Sequence, residues 1–157
     1  MKKFVSIILI ASCLLSFAAT CEAMDKRLSD SFERCKAAVV SMSEGKFDEA
    51  VYLLNTGLIT GERLYDIVMN KCPNLIGSVP QTEYAVAWKE NKDRYLAVPV
   101  VVPSYKAAPC AIFKLGNDYE ILSADFTDWA DVSMRYAQSA EIRWNVEYIP
   151  DFLAVID

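Results

Sequence analysis

The densest acidic stretch of the chain is DFTDWAD, which carries Asp125, Asp128 and Asp131. Carboxylates this close together could offer oxygen ligands to calcium, or an acid and a base to a hydrolase. The spacing is not that of an EF-hand loop. Asp128 and Asp131 also fit the first turn of a helix, where the partial positive charge of the unsatisfied N–H groups favours carboxylates. The helical reading is preferred, and neither a metal nor another cofactor is expected. Cys110, in APCAIF, is the other candidate for chemistry, as a nucleophile. It opens an apolar strand and has no basic neighbour closer in sequence than Lys106 and Lys114. A buried or paired thiol is therefore expected in place of a reactive one. Glu44 and Lys46, like ENKDR, read as charged turn residues facing water.

The chain contains no histidine. That removes every serine or cysteine triad built on an imidazole base, and with it the commonest zinc ligand. No CxxC pair, phosphate-binding glycine loop or dinucleotide fingerprint is present either. No catalytic residue is assigned, and the expectation is a protein that is not an enzyme. What remains is a set of aromatic residues, Tyr84, Trp88, Tyr95, Trp144 and Tyr148, on expected strands. Such side chains join a large contact area to a polar tip and could line a pocket for a small apolar ligand. Core packing accounts for most of them equally well. Trp88 and Trp144 are the pair to examine first.

The first residues address the compartment. Lys2 and Lys3 precede the apolar run FVSIILIASCLLSFAA, then small residues, then charged sequence. This is the pattern of a secretory signal peptide; the run is about as short as a bilayer allows and leads into polar sequence with no second hydrophobic span, so no permanent membrane span is expected. Cleavage after Ala23 is expected, giving a leader over residues 1–23 and one domain over 24–157; a cut after Ala18, or a lipid on Cys21 or Cys13, is the lesser alternative. Export to the periplasm or the outside follows. Cleavage takes Lys2, Lys3 and Glu22 from the 16 basic and 21 acidic side chains, leaving 14 and 20 and a formal charge of −6. An acidic domain without a basic stripe is a poor partner for nucleic acid. Cys35, Cys72 and Cys110 survive the cut into an oxidising compartment. One disulfide is expected, Cys35 to Cys72, with Cys72 to Cys110 as the alternative.

Around these residues the elements can be read from periodicity. Leu28, Phe32, Cys35, Val39 and Met42 recur at steps of four and three, one face of a helix. SEGK interrupts, and Phe47, Val51 and Leu54 resume the pattern. EGKFDEAVYLL looks like the turn of a tetratricopeptide repeat, but no second copy exists, so a plain helical hairpin is expected. Thr60 can cap a third helix over Gly61 to Lys71, which Pro73 ends. Beyond Pro80 the period becomes two. EYAVAWKE, RYLAVPVVV, CAIFKL and YEILSADF read as strands, with GND as the tightest hairpin turn and Pro99 as the sign of an edge or a bulge. TDWADVSMRYAQSA reads as a late helix burying Trp129, Val132, Tyr136 and Ala140. EIRWNVEYI, with Ile142, Trp144, Val146 and Tyr148 inward, and DFLAVI read as closing strands. The order predicts an α+β domain whose N-terminal helices pack on one face of an antiparallel, curved sheet.

That outline, helices and then a curved sheet, resembles secreted domains of the cystatin and nuclear-transport-factor type, and AIFKLGNDYEIL is similar to their penultimate hairpin. The resemblance is one of shape, over about half of the chain, and implies the fold outline only. Export, small size, acidity and the missing catalytic chemistry lead to a binding protein that acts through contact with another protein, a basic one, as an inhibitor or immunity-type protein does. A small-ligand carrier using the aromatic set is the alternative; a carboxylate hydrolase built on Asp125 and Asp128 is a third.

Overall fold

A computed structural model describes residues 26–57, 59–102, 108–138 and 143–144. The chain divides into two units, Met1–Asp30 and Ser31–Asp157. Helix α1 covers residues 26–43, and from Ser31 onward its buried side chains Phe32, Cys35, Val39 and Met42 keep the expected three-and-four spacing. It stops at Gly45, whose φ of 77° only a residue without a Cβ adopts readily. Gly45 N–H donates to Met42 O at 3.0 Å and Lys46 N–H to Ser41 O at 2.8 Å, which satisfies the last carbonyls of the helix. Helix α2, Phe47–Leu54, buries Phe47, Ala50 and Leu54 and ends at Asn55 in a left-handed conformation. Helix α3, Gly61–Lys71, starts where Thr60 caps it: the hydroxyl oxygen accepts Arg63 N–H at 3.3 Å. Among the described residues no helix is long and apolar enough to cross a membrane.

The strands are β1 (Val79–Pro80), β2 (Val86–Glu90), β3 (Asp93–Val101), β4 (Pro109–Leu115), β5 (Ile121–Asp128) and β6 (Arg143–Trp144). They form one antiparallel sheet in the order β5-β4-β3-β2-β6, with β1 paired to the far end of β3. Successive side chains of a strand point to opposite faces, so the register sorts them. Val86, Trp88, Ala97, Cys110 and Ile112 share one face, where Trp129, Val132 and Tyr136 of helix α4 (Trp129–Gln138) pack on them. Ala87, Leu96, Val98, Ala111 and Phe113 share the other and are equally shielded from water. Ser31 Oγ of α1 donates at 2.7 Å to Tyr119 O, in the β4–β5 turn, and Lys71 at the end of α3 forms an ion pair with Asp125 on β5.

The α+β class and the helices-before-strands order therefore stand. The late helix buries its apolar stripe on the face that carries Val86, Trp88, Cys110 and Ile112. Pro99 was expected at an edge or a bulge. It lies within β3, an interior strand of the sheet, paired with Cys110 of β4 and beyond the end of the β2 ladder. It is tolerated there because β2 pairs with β3 only as far as Ala97 and β1 begins at Val100, so no ladder partner on that side requires its missing N–H. The leader over 1–23, with Cys13 and Cys21, the expected strand positions Ile142, Val146 and Tyr148, the helix position Ala140 and the DFLAVI strand lie outside the described residues.

Candidate functional site

Among the described residues, the fold joins two of the expected aromatic set. Trp88 and Tyr95 are directly opposite in the β2–β3 ladder, and their rings stack at 5.4 Å with 23° between planes. Tyr136 of α4 meets Trp88 edge-on at 6.4 Å. Arg135, the preceding residue of α4, lays its guanidinium over both rings, 5.3 Å from that of Trp88 and 4.6 Å from that of Tyr95. Glu90, two residues beyond Trp88 on the same face, holds it: Arg135 Nη2 and Nε donate to Glu90 Oε2 at 2.8 and 3.1 Å, and Trp88 Nε1 donates to the same oxygen at 3.4 Å. A carboxylate thus orients a cation that seals an aromatic pair. Trp88 is 0% exposed. Its ring is part of the core, and the face offered to solvent is that of Arg135 and Glu90.

Tyr148 lies outside the described residues, and the remaining two positions are placed by their backbone. Tyr84 was expected to alternate with Val86 and Trp88 on one strand, but it closes a 3-10 turn over Thr82–Tyr84 and is exposed. Tyr84 N–H bonds back to Gln81 O at 3.1 Å, and β2 begins only at Val86. Trp144 pairs through its backbone with Ala87, one position away from Trp88, so the two tryptophans are not cross-strand partners. Glu90 and Arg135 were not singled out from sequence, and Tyr136 was expected only as a buried position of the late helix, which it is. A trace of the cation was present: Arg135 sits three residues after Val132 and next to Tyr136, on the border of an apolar helical stripe.

The acidic cluster is drawn apart. Asp125 on β5 accepts from Lys71 Nζ and from Phe126 N–H, the latter at 2.8 Å. Partial burial pushes the Asp125 carboxyl up, but the Lys71 hydrogen bond, the Phe126 N–H and the Lys71 charge outweigh it and hold the group below its ordinary value of 3.8. Asp131, in the first turn of α4, accepts from Thr127 Oγ1 at 3.1 Å, so Thr127 is tied to a side chain. Asp128 closes β5. Among the described residues no group of three or more His, Cys, Asp or Glu side chains is placed to hold a metal ion. Glu44 and Lys46 pair across the α1–α2 turn at 2.7 Å, both half exposed.

The expected disulfide is corrected. Cys35, Cys72 and Cys110 are all free and buried, and neither Cys35–Cys72 nor the alternative Cys72–Cys110 is within bonding distance. Cys35 and Cys110 are spent on the core, Cys35 within the α1 stripe and Cys110 under α4, while Cys72 ends α3. Burial pushes the Cys35 thiol up to about 12 and raises Cys110 well above its ordinary value of 9.0. Burial also raises Cys72, with the Asp128 charge adding to it and a Leu75 main-chain hydrogen bond opposing it. A thiol reagent added to native protein is expected to modify Cys72 first and slowly, and Cys35 and Cys110 only after denaturation, because the thiolate is the reactive form. Fast modification of Cys110 in the folded protein would contradict its enclosure.

Comparisons with protein-family models, curated proteins and solved structures found no match to this chain. The cystatin and nuclear-transport-factor outline accordingly rests on the order of the elements alone, and function has to be argued from the site.

Proposed function

We propose that this chain is an exported, non-catalytic binding protein that acts through contact with a basic protein, as an inhibitor or immunity-type protein does. The observation that carries this reading is one acidic margin. Between Lys114 and Arg135 the chain has no basic residue, yet it carries Asp118, Glu120, Asp125, Asp128 and Asp131. All five are exposed, along the β4–β5 turn, β5 and the first turn of α4. A margin with five carboxylates and the Lys71 ammonium paired to one of them stays net acidic, which raises the local concentration of a positively charged partner and orients its approach. Asp125, held ionised by Lys71, suits a docking charge better than a proton donor. The Lys2–Lys3 start and the apolar run after it support export to the periplasm or beyond.

A small-ligand carrier is the second reading, favoured by the stacked Trp88–Tyr95 pair under Arg135. A pull-down from the native extracytoplasmic extract separates the two. The contact reading expects a basic protein retained at low salt, released at high salt, and retained less by the Asp125→Asn, Asp128→Asn variant. Recovery of no protein, together with a stoichiometric small molecule in native mass spectrometry, would replace it with the carrier reading.

A further inference from the structure

We propose that the free edge of β5 is the line on which the partner docks, by adding a basic, extended segment to the sheet as its next strand; this rests on the contact reading above. Among the described residues, strand β5 ends the sheet order and forms a ladder only with β4. Its outer side can be identified. Phe126 N–H is bonded to the Asp125 carboxylate and so is turned away from β4, and the two-residue repeat of a strand turns the main chain of Ala124 and Asp128 the same way. No main-chain group among the described residues pairs with these outward positions. Eight residues, at about 3.4 Å each, provide an edge of about 25 Å, long enough to template a strand.

The chemistry of the edge selects the occupant. Proteins usually guard an open edge with charge, most often lysine. Here the guards within the strand are Asp125 and Asp128, and among the described residues the cation that reaches the edge, the Lys71 ammonium, comes from α3. Lys71 occupies the position that a lysine or arginine of an incoming strand would take, beside Asp125 and the Phe126 N–H. A second copy of this chain would bring Asp125 and Asp128 against the same carboxylates, which disfavours self-pairing. Leu122, 46% exposed, and the half-buried Phe126 supply apolar contact for alternate side chains of the incoming strand.

The probe is a short blocked peptide of alternating lysine and valine, with glutamate replacing lysine in the control. Binding is read by fluorescence anisotropy and by amide exchange. The lysine peptide is expected to bind the full chain, to slow exchange at Ala124 and Phe126, and to weaken about tenfold as ionic strength rises from about 0.1 to about 1 M, which shortens the screening length from about 10 to about 3 Å. Lys71→Ala is expected to tighten binding severalfold by removing the competing cation. Asp125→Asn with Asp128→Asn, which leaves the backbone unaltered, is expected to weaken it about tenfold. Ala124→Pro deletes one outward N–H at an edge position, where proline is tolerated, and is expected to weaken binding at least as much. Equal binding of the glutamate peptide, no binding of the lysine peptide, or unchanged exchange at Ala124 and Phe126 on saturation would each overturn edge docking. If the Ala124→Pro chain still retains the native basic protein as the parent does, edge docking fails while the contact reading survives. If neither chain retains a protein, the contact reading itself fails.

Discussion

Replacing Trp88 with alanine is expected to lower folding stability by about 3–5 kcal/mol, measured as the change in free energy from urea unfolding. The indole is fully enclosed on the α4 face of the sheet, among Val86, Ala97, Ile112, Val132 and Tyr136. Its removal leaves a cavity bounded by strands that the β2–β3 and β3–β4 ladders hold in place, so the site cannot collapse to fill it. The truncation also withdraws one of the two rings under Arg135, whose guanidinium would then rest on Tyr95 and Glu90 alone. A loss of this size is the mark of a core position. A Trp88→Ala protein as stable as the parent would return Trp88 to a binding role and reopen the carrier reading.

The second large effect is expected at Tyr119, where alanine should destabilise by about 3 kcal/mol and glycine by about 1 kcal/mol less than alanine. Tyr119 has a φ of 61°, a left-handed conformation that costs a bulky L-residue about 1–2 kcal/mol. It closes the β4–β5 turn. Tyr119 N–H donates to Gly116 O at 3.2 Å, and Gly116 N–H to Glu120 O at 2.8 Å, an arrangement whose left-handed position is ordinarily glycine. Tertiary contacts hold tyrosine there: the ring is buried, Arg94 lies 5.2 Å above it, and its carbonyl accepts the Ser31 hydroxyl. Both substitutions lose the ring, but only glycine relieves the backbone. Paired denaturation curves decide the matter, and an alanine variant as stable as the glycine variant would mean that the turn does not keep its left-handed residue.

Much of the fold was legible because helices and strands are written at short range. The steps of three and four through Phe32, Cys35, Val39 and Met42 require only that one side of a helix be apolar, and α1 buries these residues. Thr60 announced the start of α3, and Gly116 to Asp118 marked the turn between β4 and β5, because caps and turns are satisfied by neighbours in the chain. Tyr84 was misplaced by the same logic. Its alternation with Val86 and Trp88 fits a strand, but hydrogen bonds back to Gln81 and Thr82 turn the chain before the sheet begins.

The candidate sites were legible only in their parts. Asp125, Asp128 and Asp131 were evident as a charged run, and Trp88 and Tyr95 as large aromatic residues on strands. That Trp88 pairs with Tyr95 and not Trp144 depends on strand register, and a shift of one residue exchanges the two faces of a strand. Arg135 reaches Glu90 across 45 positions and Lys71 reaches Asp125 across 54, distances over which local spacing says nothing. The same holds for the cysteines: compartment and number suggested a bridge, while the packing of α1, α3 and β4 keeps the three thiols apart. By itself the sequence determined which residues are apolar, where the capped helices and the tightest turn fall, and which catalytic chemistries lack their side chains, since these depend on composition and nearest neighbours. The tertiary structure decided which side of the sheet α4 covers, which strand is left as an edge and which cation meets which carboxylate, since these follow from how the elements stack to bury their apolar faces together.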